Sequence, residues 1–376
     1  MESITTVVRP SVVLGMWTNE HPLASANSPR TNSGQKFVRP FVFLGVWTDG
    51  RPVSKMRIAF PASQDRTRIV FDCRMANAPG RDERKRDSVP MNSAHPIRHI
   101  SDTALWVAVY RARESERPDA VFRDPYASKL AGDRGMQIAA AMPSAQRHSW
   151  AYVARTWLVD QVIKRELSQG TDMVINLAAG LDARPYWMPL PTSLRWVEVD
   201  LPEMLNYKQE VLAAESPNCA VERVALDLKD EAGRRALFRR LGSEAKRGVV
   251  LSEGLLIYFA DHEVSELARD LATPPTFRRW VTDLTSPALL KMLRKTIGGP
   301  LDMAGSPLKF APREGPNFFA AYAWKNIEAR SLLHTAAKLK RLSFGMRLLS
   351  LLPDPAGRKP DKPWGGVCVF ENTTSP

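Results

Sequence analysis

The chain has 376 residues, 44% hydrophobic and 25% charged, an ordinary soluble composition with ample material for a large core. No apolar run approaches the roughly 20 residues of a membrane helix, and the N-terminus lacks a basic head, apolar segment and small-residue cleavage site, so a cytoplasmic protein is expected. The net charge of +13 comes from basic residues spread along the whole chain, which implies a solvated basic surface, with no specific nucleic acid and no membrane as partner.

Residues 1–97 differ from the rest. The stretch Val8-Arg-Pro-Ser-Val-Val-Leu-Gly-Met-Trp-Thr18 recurs as Val38-Arg-Pro-Phe-Val-Phe-Leu-Gly-Val-Trp-Thr48. Two copies are too few to bury a continuous core, so an array is not expected. Ala76 to Val89 is polar and charge-rich around Pro79-Gly80 and reads as linker. The whole of 1–97 is expected to be a poorly ordered extension, with a start at Met91 as an alternative, and 98–376 to be one separate folded domain. Cys73, Cys219 and Cys368 are widely spaced and odd in number, and the six histidines are scattered, so neither a disulfide framework nor a structural metal is indicated.

Ser101-Asp-Thr-Ala-Leu-Trp opens an amphipathic helix, with Leu105, Val109 and Ala112 at helical spacing. A proline turn at Asp124-Pro125 precedes another short helix, and Tyr152 to Ile163 forms a third with Val153 and Trp157 in its apolar stripe. This third helix carries Arg155, whose plain reading is a surface arginine paired with Asp160 or Glu166.

The organising stretch follows. Met173 to Leu177 is a buried strand that breaks into Ala178, Ala179 and Gly180, small residues that let a ligand approach the backbone. Trp196 to Val199 is a second strand ending on Asp200, suited to holding a ribose diol. The loop lacks the three glycines of a dinucleotide site. Its Asp182 would repel a pyrophosphate but tolerate a cationic ligand.

These residues carry a resemblance. Asn176-Leu-Ala-Ala-Gly-Leu-Asp-Ala-Arg184 resembles the Asn-Leu-Gly-Ala-Gly-Leu-Asp-Thr-Arg of class I S-adenosylmethionine-dependent methyltransferases of the leucine carboxyl methyltransferase-like group, with Ala178 and Ala183 as departures. The resemblance covers about residues 97 to 371. It implies an α/β, Rossmann-like doubly wound and mostly parallel sheet, with N-terminal helices and a substrate-covering insertion. It also implies S-adenosyl-L-methionine as cofactor, held by Arg155, Ala178, Gly180, Asp182, Asp200, Leu201, Asp227, Leu228 and Glu253, with Arg155 on the methionine carboxylate and Glu253 at the aminoacyl end.

Leu201 to Glu215 reads as helix and Val221 to Leu226 as a third strand ending in Asp227-Leu228. That pair suits adenine, with Asp227 accepting from the amine and the next amide donating to the ring; the alternative is an N-cap for the helix near Glu231. Gly248 onward is a fourth strand ending at Glu253, so Gly180, Asp200, Asp227 and Glu253 share one rim. Asp261 to Leu271 reads as helix and Arg279 to Leu284 as a fifth strand. Residues 286–323 read as the insertion, 326–343 as a basic helix and Gly366 to Phe370 as a closing strand.

The implied function is oxygen methylation of a small-molecule hydroxyl or carboxylate, with protein C-terminal carboxyl methylation as alternative. More remote are an NAD-dependent oxidoreductase and a non-catalytic basic binding protein. A carboxylate acceptor needs no general base and a hydroxyl does. Tyr258, His262 and His148 are the titratable groups nearest the rim, none of them assigned that role.

Overall fold

The computed structural model describes residues 43–48, 51–57, 102–142 and 146–374. The chain divides into two units, Met1–Asp87 and Ser88–Pro376. In the first, β1 (Phe43–Thr48) and β2 (Arg51–Arg57) pair antiparallel. The first repeat copy, the expected linker 76–89 and Met91 lie outside the described residues.

The second unit is built on seven strands: β3 (Met173–Leu177), β4 (Arg195–Asp200), β5 (Ala220–Ala225), β6 (Gly248–Ser252), β7 (Phe277–Thr285), β8 (Trp324–Ser331) and β9 (Gly365–Asn372). Their order is β5-β4-β3-β6-β7-β9-β8. Strands β3 to β7 are parallel, and β9 runs antiparallel between β7 and β8. All residues of β3 and β6 are buried, as central strands covered on both faces must be. The chain leaves β3 toward β4 on one side and returns to β6 on the other, which opens a crevice at the carboxyl ends of β3 and β6.

The helices are α1 (Asp102–Ser115), α2 (Ala127–Ala141), α3 (Ser149–Ser168), α4 (Arg184–Trp187), α5 (Pro202–Val211), α6 (Glu231–Glu244), α7 (Asp261–Ala272), α8 (Pro287–Leu293), α9 (Gly299–Met303), α10 (Leu332–Lys338) and α11 (Phe344–Leu349). Alternate residues of each strand face opposite layers. Ile175, Val197 and Val250 pack under Leu237 and Leu241 of α6 and Leu267 of α7. Val174, Trp196 and Leu251 pack against Leu158 and Val162 of α3. Trp280 of β7 anchors the far side, with its ring 5.0 Å from Phe319 and 5.5 Å from Trp324, both edge-on. Among the described residues no helix is long and apolar enough to cross a membrane.

Two elements differ from expectation. Residues 326–343 are not one basic helix: strand β8 occupies most of the first half and the short α10 follows. The strand is an edge strand paired only with β9 and irregular between Asn326 and Glu328, so its Lys325, Glu328 and Arg330 need no buried partner face. The helix after Asp200 ends at Val211 instead of Glu215.

Candidate cofactor and acceptor site

The loop after β3 is tied to the end of β4. Asp200 accepts from the backbone N–H of Gly180 at 2.6 Å through Oδ2 and from that of Leu201 at 2.7 Å through Oδ1. Burial raises its carboxyl above the ordinary range, against the pull of those two bonds. Gly180 takes φ +49°, and Ala178, two residues earlier, takes φ +50° despite its Cβ. Asp227 stands exposed after β5, where its Oδ1 accepts from the Lys229 N–H at 2.9 Å. The cap of α6 is Asp230, which accepts from Gly233, so Asp227 does not fill that alternative role.

Beyond the same rim lies a buried charge cluster. Arg184, only 4% exposed, reaches Asp160 at 2.6 Å, Asp182 at 2.7 Å and Glu253 at 3.1 Å. Arg155 pairs with Glu253 at 2.9 Å and Asp283 at 3.2 Å, and lies 5.5 Å from the Tyr152 ring centre. These, not Asp160 or Glu166, are the partners of Arg155. Asp283 also accepts from the Gly254 N–H at 2.6 Å.

Burial works to raise the Glu253 and Asp182 carboxyls, but the positive groups around them together outweigh it, Arg184 foremost, with Arg155 beside Glu253 and Lys208 near Asp182, and leave both below the usual range. Asp160 is pushed up to about 6 by burial, with Arg184 opposing. Counting the members gives four carboxylates, Asp160, Asp182, Glu253 and Asp283, against two guanidiniums, a net of −2 when all are ionised. Such a cluster favours a cation beside it.

One cavity of about 1250 Å³ joins these features, and all nine expected site residues line it: Arg155, Ala178, Gly180, Asp182, Asp200, Leu201, Asp227, Leu228 and Glu253. The donor set fits a nucleoside with a cationic tail. Two carboxylates at neighbouring strand ends, Asp200 and Asp227, are placed where they could accept from a sugar and a base, a glycine permits close approach, and the net negative cluster would suit a cationic tail. Sequence reasoning missed Arg184 and Asp283 and named Asp160 only as a surface partner of Arg155, whereas it pairs with Arg184. Arg184 closes the quoted Asn176–Arg184 motif, which is the signal that could have found it.

Of the expected titratable groups, Tyr258 and His148 line the cavity, whereas His262 is exposed on α7 and is not part of the lining. Burial pushes the Tyr258 phenol up to about 12 and raises Tyr152 as well. His334, unforeseen in the sequence, also lines the cavity. Its Nε2 lies 3.0 Å from the Leu352 carbonyl and its Nδ1 3.1 Å from Ser331 Oγ. Since a carbonyl only accepts, the proton is assigned to Nε2 and Nδ1 accepts from the hydroxyl.

A family profile described as leucine carboxyl methyltransferase matches residues 104–272. A Frankia alni protein is 32% identical over 265 residues, 65% of this chain and 89% of its own length. A Rhodococcus jostii protein is 36% identical over 190 residues, 47% of this chain and 64% of its own. Both bear the name "Putative S-adenosyl-L-methionine-dependent methyltransferase". Among solved structures, a DUF574 family protein from Streptomyces avermitilis superposes with a TM-score of 0.46 at 12% identity, covering 73% of this chain and 98% of that one.

Proposed function

This chain belongs to the leucine carboxyl methyltransferase family of S-adenosyl-L-methionine-dependent methyltransferases, and from that premise we propose that it methylates an oxygen of a small molecule, a carboxylate ahead of a hydroxyl. The observation that supports the carboxylate is the state of three titratable side chains of the cavity, Tyr152, Tyr258 and His334. Tyr152 and Tyr258 hold their protons more tightly than free phenols, and both nitrogens of His334 are engaged. An alcohol must lose a proton as it attacks, whereas a carboxylate arrives ionised and needs no base.

S-adenosyl-L-methionine, when bound, supplies a methyl group on a sulfonium that departs with the C–S bonding pair as the acceptor oxygen's pair forms the new C–O bond. The protein's part is positional. Asp200, already fixed by Gly180 and Leu201, accepts from ribose hydroxyls. Asp227, whose Oδ1 holds the Lys229 N–H, would accept from the adenine amine. Arg155 and Arg184 orient Glu253 toward the aminoacyl end, and the net negative cluster keeps the positive charge at one place. The acceptor is a small molecule, with no nucleic acid or membrane taking part.

Calorimetric titration with S-adenosyl-L-methionine and its demethylated product is expected to give saturable binding, weakened at least about tenfold, or roughly 1.4 kcal/mol, by Asp200→Ala or Asp227→Ala. Label transferred from the methyl donor to an acid is expected to leave as volatile methanol in alkali, as an ester does. Alkali-stable label would defeat the carboxylate assignment, label on leucine-ended peptides alone would favour the protein substrate, and binding of nicotinamide dinucleotide in place of the sulfonium compound would defeat the class.

A further inference from the structure

We infer that the outer half of the cavity is an acceptor subsite for a large aliphatic body, so that the substrate is a carboxylic acid carrying a long hydrocarbon chain. This rests on the methyltransferase reading and adds the chemistry of the acceptor. Sites for one drug-sized ligand occupy about 300–1,000 Å³, and the cavity of about 1250 Å³ has room for a cofactor and a second molecule. Besides the residues around Asp200 and Asp227, the lining includes the apolar Leu293 of α8, Ile297, Leu308 and Met346 of α11. His334, Asp354, Arg358, Lys359 and Lys362 are among its polar members from the same C-terminal half. Methionine adapts its shape to an irregular apolar guest.

Exposure extends the same surface outward. Met292, Leu349 and Leu352 line the cavity while being 51%, 51% and 62% exposed. A guest lying between α8 and the segment after α11 would cover all three. Their neighbours Leu348 and Leu351, 55% and 80% exposed, are not part of the lining, which separates an inward from an outward apolar face on one short segment.

The test uses the full-length protein saturated with S-adenosylhomocysteine and titrated with straight-chain carboxylic acids of six to twelve carbons. Each added methylene is expected to tighten binding about fourfold until the subsite is full, the equivalent of roughly 0.8 kcal/mol per buried CH2. Leu349→Gln and Met292→Gln are expected to weaken binding of the longer acids at least about tenfold, with the affinity for S-adenosylhomocysteine unchanged, whereas Leu351→Gln leaves both unchanged. Cofactor binding with no dependence on chain length overturns the subsite and leaves the methyltransferase reading standing. Failure to bind S-adenosylhomocysteine overturns that reading itself. An equal loss in Leu351→Gln and Leu349→Gln means adsorption to the outer apolar surface and also overturns the subsite.

Discussion

Ala178 holds a backbone conformation that glycine adopts freely, at φ +50°, in the loop under the expected cofactor. For a residue with a Cβ the left-handed region costs on the order of 1–3 kcal/mol, and the extra freedom glycine brings to the unfolded chain returns about 0.4–1 kcal/mol of that. Ala178→Gly is therefore expected to stabilise the protein by about 1 kcal/mol, read as a higher urea midpoint at unchanged m-value. Asp160 gives a second test. Its folded carboxyl titrates at about 6, above its unfolded value of 3.8, so the folded state binds this proton more tightly. The group's contribution to stability is then largest below about pH 4 and declines as the pH rises through about 6. Asp160→Asn should remove that decline: measured by urea unfolding, the variant gains on the parent between pH 4 and pH 7. A parallel pH dependence in the two proteins would refute the assignment.

At the scale of elements, Arg184 is a tie between three of them: α4, where it starts, α3 through Asp160, and the end of β6 through Glu253. Removing one partner of a buried pair costs about 3–5 kcal/mol because the others are left charged and unsolvated. Arg184→Met is expected to lose that much in urea unfolding and to weaken cofactor binding, since Glu253 loses its second support. The same residue shows where the sequence was legible and where it was not. Strands β3 and β6 announced themselves because they are buried on both faces and read as unbroken apolar runs. The rim residues followed from strand ends alone, as Asp200 and Glu253 do. A buried arginine looks like a surface one until its three carboxylates, dispersed from position 160 to 253, are brought together by the fold. Strand β8 hid for a related reason: with one neighbour and charges at Lys325, Glu328 and Arg330, it carries neither the alternation nor the apolar run that marks a strand.

For the whole molecule, the question is which part of the 376 residues the fold and the site require. Among the described residues, the seven-stranded sheet, the five buried apolar clusters, which run from Trp106 to Phe370, and every residue lining the cavity fall within Ser88–Pro376. The described part of Met1–Asp87 is one two-stranded hairpin, and such a hairpin is at best marginally stable by itself in water. A chain beginning at Ser88 is accordingly expected to keep its thermal midpoint within about 3 °C, which corresponds to less than roughly 1 kcal/mol in a domain of this size. Its affinity for S-adenosylhomocysteine should also be unchanged. A larger fall in the midpoint would assign part of the stability to the duplicated segment, and a loss of affinity at an unchanged midpoint would assign that segment a part in the site.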